Sequence, residues 1–187
     1  MPRFDHLPLV TARLTLRPLS AADADAVFAI FSDPQTMRWW SCGPWQSVER
    51  AHQMISADEQ RLAEGQALRL GLVRHDDGQL IGVCSMFDFN AQSRRAEFGY
   101  ILARAHWGHG HMHEALTAFI DYAFGTLGLH RLEADTDPRN TASKKALLRL
   151  GCVQEGLFRE RWIIEGEVCD SAMFGLLARD WHARRGG

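Results

Sequence analysis

Apolar and polar positions alternate along Leu14-Thr15-Leu16-Arg17-Pro18, the period of a half-buried strand, and predict the first β element. Ser20 then offers an N-cap and Asp23 a first-turn acid for a helix whose Ala24, Val27, Phe28 and Phe31 share one face. Residues 32–46 carry Asp33-Pro34, Trp39-Trp40 and Gly43-Pro44 and read as an irregular, aromatic-rich loop. Ser47 is expected to cap a second helix running to about Glu64, with Ala51, Met54, Ile55 and Leu62 inward and Gly65 at its stop. Leu68–Arg74 and Leu80–Phe89 flank the polar turn His75-Asp76-Asp77-Gly78 as a hairpin, and a break at Asn90–Ser93 precedes a strand over Ala96–Leu102.

The strongest helical pattern is Gly110–Leu127, where Met112, Ala115, Leu116, Phe119, Ile120, Ala123, Phe124 and Leu127 keep the 3.6-residue period. A short strand over Leu129–Ala134, a helix over Thr141–Leu150 stopped by Gly151, and strands over Gly156–Ile164 and Val168–Leu177 complete the chain. This order predicts an α/β layered domain with a partly antiparallel sheet. Its unit of strand 96–102, helix 110–127 and strand 129–134 is expected to be a right-handed crossover between parallel strands. No repeat or linker interrupts residues 1–187, so one domain is expected.

Composition narrows the function classes. Apolar residues at 46% and charged residues at 24% are ordinary for a globular chain with a sizeable core. A formal charge of −2 gives no reason to expect nucleic acid or an anionic membrane as a partner. Cys42, Cys84, Cys152 and Cys169 are scattered without a CxxC pair, which favours free thiols over a zinc knuckle or a disulfide framework. The N-terminal residues hold no signal-like apolar run and no later segment approaches a membrane span, so a cytoplasmic protein is expected.

Candidate chemistry concentrates between Glu97 and Ala115. A strand leads through Trp107-Gly108-His109-Gly110-His111-Met112-His113 into the long helix. N–H groups at a helix start lack intrahelical acceptors and carry the positive end of the helix dipole, which suits phosphate oxygens. Gly108 and Gly110 would let the backbone approach such a ligand, or would serve only to turn the chain. His109 and His113 share a helical face, but Thr117 stands where HExxH needs its second histidine, so no metal site is expected. Glu97 is the first candidate general base, unless it is a strand carboxylate paired with Arg94 or Arg95; Glu160 is the second. Asn140 fits a helix N-cap. Trp39, Trp40 and Trp45 could wall a pocket or pack the loop that holds them.

Five motifs occur in order from about residue 11 to 178: Thr11-Ala12-Arg13-Leu14-Thr15-Leu16-Arg17-Pro18, Glu97-Phe98-Gly99-Tyr100, Trp107-Gly108-His109-Gly110, Asp137-Pro138-Arg139-Asn140-Thr141-Ala142-Ser143 and Leu150-Gly151-Cys152-Val153-Gln154-Glu155-Gly156. Together they resemble the GNAT superfamily of N-acetyltransferases, in the branch that acetylates ribosomal-protein N-termini. The sequence departs from that family at Trp107, where Gln or Arg is common, and at Met112, where Gly or Ala is common.

The resemblance implies a mixed sheet of about six to seven strands with helices on both faces and a splay between its two central parallel strands. It implies acetyl-CoA as cosubstrate, its phosphates held by Trp107, Gly108, His109, Gly110, His111, Met112 and His113. Pantetheine would pair with the backbone at Ile101, Leu102 and Ala103, the Ile101 N–H would face the thioester oxygen, Asn140 would touch the pantetheine arm, and Ser143 would protonate the departing thiolate. Neutral imidazoles at 109, 111 and 113 should make cofactor affinity rise as pH falls toward about 6. No cysteine sits in a nucleophile setting, so direct transfer in a ternary complex is expected. The implied acceptor is a peptide N-terminus; a small amine (polyamine, amino sugar or amino acid) and a non-catalytic acyl-CoA-binding module are the alternatives. Relatives form homodimers, which makes a second copy a possible partner.

Overall fold

Eight strands form one sheet in the computed structural model, which describes residues 2–185. They are β1 (Leu9–Val10), β2 (Leu14–Pro18), β3 (Leu68–Arg74), β4 (Leu80–Asn90), β5 (Arg95–Leu102), β6 (Arg131–Thr136), β7 (Val153–Ile164) and β8 (Glu167–Leu177), in the spatial order β1-β2-β3-β4-β5-β6-β8-β7. Only β5 and β6 pair in parallel, as the crossover requires. The helices are α1 (Ala24–Ser32), α2 (Pro34–Met37), α3 (Glu49–Ala63), α4 (His111–Asp121), α5 (Thr141–Leu150) and α6 (Ala178–Arg185). No helix among the described residues is long and apolar enough to cross a membrane.

Strand alternation sorts the side chains between two helical layers. On one face Leu14, Leu16, Leu68, Leu70, Phe98, Leu132 and Phe174 pack under Leu116, Phe119 and Ile120 of α4, Leu147 and Leu150 of α5, and Trp181 of α6. On the other, Leu80, Val83 and Ile101 meet Val27, Ile30 and Phe31 of α1 and Ala51 and Ile55 of α3.

Parallel pairing of β5 with β6 runs from Arg95↔Arg131 only to Glu97↔Glu133, although β5 continues to Leu102 and β6 to Thr136. Beyond Glu97 the strands part. Each keeps its other neighbour, for β4 follows β5 to Gly82↔Leu102 and β8 follows β6 to Thr136↔Ala172. The sheet is therefore forked at its centre.

Several elements differ from the sequence expectations. The sheet has eight strands because the two-residue β1 extends its edge. The 32–46 loop contains α2, where Pro34 takes the first helical position and the Asp33 carboxylate accepts from Gln35 N–H at 2.8 Å. Helix α3 starts at Glu49 with Val48 at its cap, while Ser47 lies against the Glu49 carboxylate. The long helix passes into a π-type turn over Tyr122–Thr126, and α6 adds a last helix where none was expected. Helix α5 and its Gly151 stop, at φ 94°, agree with expectation.

Phe119 is wholly buried where α4 meets the sheet. Phe119→Ala should lower the unfolding free energy by about 3–5 kcal/mol, from lost burial and the cavity left behind. Urea denaturation checks this; a loss under about 1 kcal/mol would mean that α4 is not seated on the sheet as described.

Candidate active site

The backbone of β5 beyond Glu97 faces β4 on one side and the fork on the other. Ala103 N–H donates to Ile81 C=O at 2.8 Å, continuing the register in which Gly82 opposes Leu102 and Val83 opposes Ile101. In an antiparallel ladder, alternate residues turn both N–H and C=O to the same neighbour. Ile101 therefore directs its N–H toward β4, and the N–H groups facing the fork are those of Tyr100 and Leu102. This corrects the expectation that Ile101 supplies the oxyanion donor. The Leu102 carbonyl follows the same parity and accepts from Trp107 Nε1–H at 2.7 Å, which ties the end of β5 to the glycine turn.

That turn presents the start of α4. Gly108 and Gly110 sit in the left-handed region at φ 78° and 79°, where a side chain would be strained. Gly110 is the N-cap and has no side-chain capping bond. The N–H groups of His111, Met112 and His113 thus have no intrahelical acceptor, and no atom lies within 4 Å of where a Cβ at Gly108 would project. An uncapped, open helix start of this kind fits phosphate oxygens. Arg13 braces it from the segment just before β2: Nη1 donates to the His109 carbonyl at 3.0 Å and Nε to Glu114 at 2.6 Å, while Thr11 Oγ1 reaches Glu114 at 2.7 Å. Beside it, His113, Ala142, Lys145, Ala146 and Arg149 line a cavity of about 430 Å³ between α4 and α5. Neither Lys145 nor Arg149 has an acidic partner among the described residues.

The histidines depart from ordinary behaviour. His111 is buried, its ring lies 5.9 Å from that of His109 and 6.1 Å from that of His106, and its Nδ1 has no partner. Burial, with the charges of Arg13 and Arg74, holds its pKa below the usual value. Burial and Arg74 do the same for His106, and burial and Arg149 for His113. Among the described residues no group of three His, Cys, Asp or Glu side chains is placed to hold a metal ion.

Glu97 stands at the fork point itself. Neither Arg94 nor Arg95 pairs with it: Arg95 donates to Glu133 at 2.7 Å, and Arg131 bridges Glu133 and Glu155. The Glu97 carboxyl is half-buried and without an ion pair among the described residues. Its pKa is raised, first by burial and then by the charges of Asp88 and Asp135, with Arg161 opposing. Glu160 is exposed on an irregular part of β7, where its backbone N–H donates to Asp170.

Across the fork, Asn140 caps α5 by accepting from Ser143 N–H at 3.0 Å. The Ser143 hydroxyl lies 2.9 Å from the Tyr100 hydroxyl, so strand and helix meet through two side-chain oxygens. Just before α5, Arg139 is held by Asp137 and Glu167 and lies 5.1 Å over the Trp39 ring. Trp45 and Trp40 instead pack on Phe31, at 4.4 and 5.3 Å between ring centroids. Of the two uses weighed from the sequence, packing holds for Trp45 and Trp40, whereas Trp39 meets the guanidinium groups of Arg38 and Arg139 at 4.7 and 5.1 Å from its ring centroid.

Sequence reasoning passed over the Tyr100 hydroxyl, the Arg13–Glu114 brace and the Arg139 clamp. Arg13 and Glu114 are 101 positions apart, and nothing local in either segment pairs them.

The family model for the acetyltransferase (GNAT) domain matches residues 13–153. The chain is 38% identical over 173 residues to the uncharacterized N-acetyltransferase p20 of Bacillus licheniformis, covering 92% of this chain and 97% of that one. It is 30% identical to the [ribosomal protein uS5]-alanine N-acetyltransferase of Escherichia coli K12, covering 92% of each. Its fold superposes on the spermidine N-acetyltransferase from Vibrio cholerae, solved with CoA and spermine, with a TM-score of 0.80 at 24% identity, covering 90% of this chain and 98% of that one.

The depressed histidine pKa values move the expected pH response. Coenzyme A affinity should be flat from pH 8 to 7 and tighten only as pH falls below about 6.5, the ordinary histidine value, as imidazoles beside α4 gain charge. Calorimetric titration across pH 5.5–8 checks this; weakening toward low pH would contradict it.

Proposed function

The chain belongs to the GNAT acetyltransferase family, and from that premise we propose that it transfers acetyl from acetyl-CoA to the α-amino group of a protein N-terminus. The observation that carries this is the fork, with Glu97 at its base and unpaired backbone donors along its β5 arm. Acetyl-CoA is the acyl donor of the family. Here the N–H groups of His111, Met112 and His113 would hold its phosphates, with Gly108 and Gly110 allowing close approach and Trp107 and His109 lining the turn. Leu102 and Ala103 would flank the pantetheine arm, with Asn140 on the facing helix.

Each step has a residue suited to it. Glu97 accepts the amine proton, directly or through water; such bases contribute about 10²–10⁴ in rate. The N–H groups of Tyr100 and Leu102 are the donors aimed where charge develops on the thioester oxygen, each worth roughly 10²–10³. Ser143 faces the departing sulfur. Direct transfer is supported by the cysteines: Cys84, Cys152 and Cys169 are buried, and burial pushes the Cys84 and Cys152 thiols well above the usual range.

Two observations favour an N-terminal α-amine over a polyamine. An α-amino group with a pKa near 7.7–8.0 is roughly one-tenth unprotonated at pH 7, whereas an alkylamine near 10.4 is free in under about one molecule per thousand. A single carboxylate with a raised pKa suits the first task far better. The face around Glu97 carries Asp88, Asp135 and Glu133 but is not uniformly acidic, since Arg161 acts on Glu97 and Arg95 and Arg131 pair with Glu133. A polycation would call for a more uniformly acidic wall. The 30% identity to a ribosomal-protein N-acetyltransferase points the same way.

Thiol release from acetyl-CoA, measured with a pool of short peptides and a pool of small amines, should be fast with peptides and slow with spermidine. Turnover with the small amines alone would reject the peptide acceptor. Glu97→Gln should lower kcat by about 10²–10⁴ while raising the thermal midpoint at pH 7. A carboxyl whose folded pKa lies above its unfolded value destabilises the fold while it is ionised. The gain should vanish as pH falls through the raised Glu97 pKa, where the wild-type group becomes neutral. A lower midpoint at pH 7 would contradict this assignment.

A further inference from the structure

We propose that Tyr100 is a positioning residue that holds the Ser143 hydroxyl with its hydrogen directed into the fork, toward the sulfur that leaves when the acetyl group is transferred. The inference rests on the acetyl transfer proposed above. It assigns a task to a side chain which packing alone does not explain, because Phe would fill the same volume without a hydroxyl to satisfy.

The geometry is specific. Tyr100 belongs to the part of β5 that has left β6, and its backbone N–H faces the fork. Its side chain crosses to α5, where the hydroxyl lies 2.9 Å from Ser143 Oγ and 3.3 Å from the Ser143 carbonyl. A helical serine commonly turns its hydroxyl back on the carbonyl one turn earlier. The hydroxyl of Ser143 instead meets Tyr100. The Ser143 backbone is fixed independently, because its N–H is taken by Asn140 Oδ1 at 3.0 Å.

Two hydrogen arrangements satisfy this pair. In one, Ser143 donates to Tyr100 and Tyr100 donates to the Ser143 carbonyl. In the other, Tyr100 donates to Ser143 Oγ, and the Ser143 hydrogen is free to point at sulfur. Negative charge developing on sulfur favours the second, and the two hydroxyls then form a chain whose bonds strengthen one another. Burial pushes the Tyr100 hydroxyl up to about 12, so it stays protonated and able to donate across the working range. A free thiol ionises near ~8.5, well below that hydroxyl, so full proton transfer to the thiolate is uphill. The pair therefore acts by hydrogen bonding and not, as the sequence suggested for Ser143, by protonation. In the balanced step the amine nitrogen forms the C–N bond and gives its proton to Glu97. The C–S bond breaks with its electron pair on sulfur, the Ser143 O–H solvates that charge, and solvent protonates the released thiolate.

The test compares wild type, Tyr100→Phe, Ser143→Ala and the double variant, using acetyl-CoA and an acetyl thioester of a nitro-substituted thiophenol. With acetyl-CoA, Tyr100→Phe should lose roughly ten- to hundredfold in kcat with KM within about twofold, the size expected for one hydrogen bond to a charged group. The double variant should be no slower than Ser143→Ala, because Tyr100 acts only through the Ser143 donor that Ser143→Ala already removes. The defect should shrink severalfold with the thiophenol ester, whose sulfur leaves readily without a donor. Multiplying defects in the double variant, or a Tyr100→Phe defect equal for both thioesters, would overturn the proposal. Should Tyr100→Phe fail to fold, Ser143→Ala carries the same leaving-group comparison, and a defect indifferent to the thiol has the same consequence. Wild type without turnover on any amine would remove the acetyl-transfer proposal and this one together; active wild type with an unimpaired Tyr100→Phe removes this one alone.

Discussion

The molecule depends on a pairing that stops early. Parallel strands β5 and β6 bond at three positions and separate after Glu97↔Glu133, while each stays fastened to an antiparallel neighbour. A parallel pair that continued to Leu102 would use the N–H groups of Tyr100 and Leu102 for structure and leave nothing for a ligand. Because the split lies between two well-paired halves, and the apolar layer under α4 and α5 runs across both of them, the sheet can remain open at its centre without losing its core.

The functional groups follow from that fork. Glu97 is at its base, where burial and neighbouring carboxylates raise its pKa against the opposing charge of Arg161, while Arg95 and Arg131 are engaged by Glu133 and Glu155. The glycine turn is fixed at both ends: Trp107 holds the Leu102 carbonyl, and Arg13 holds the His109 carbonyl while paired with Glu114 in the first turn of α4. These bonds keep the helix start exposed to solvent yet rigid, which lowers the entropy lost when an anion binds there. On the far side α5 presents Asn140 and Ser143, with Tyr100 as the link back to β5.

Much of this was legible in the sequence where the signal is local. Asn140 and Gly151 bracket α5 because an N-cap and a left-handed stop are chemical requirements of a helix end. The apolar stripe of α4 and the hairpin of β3 and β4 were equally plain. The family motifs pointed to a forked sheet and a ligand-binding glycine turn, though they undercounted the strands by missing the two-residue β1. Properties that depend on register or on distant residues were not legible. Whether Ile101 or its neighbours face the fork is decided by one residue of parity in the ladder with β4. The histidine pKa values are set partly by Arg13 and Arg74, which are distant in sequence. The Tyr100–Ser143 contact joins residues 43 positions apart.

The central claim is that the ligand site is the fork together with the start of α4. Backbone amide NMR during titration with coenzyme A tests it most directly. The account predicts that the largest shifts fall on Tyr100, Leu102 and Gly108 to His113, with Ile101 less affected because its N–H is committed to β4. Shifts concentrated elsewhere, or an Ile101 response larger than those of Tyr100 and Leu102, would contradict it.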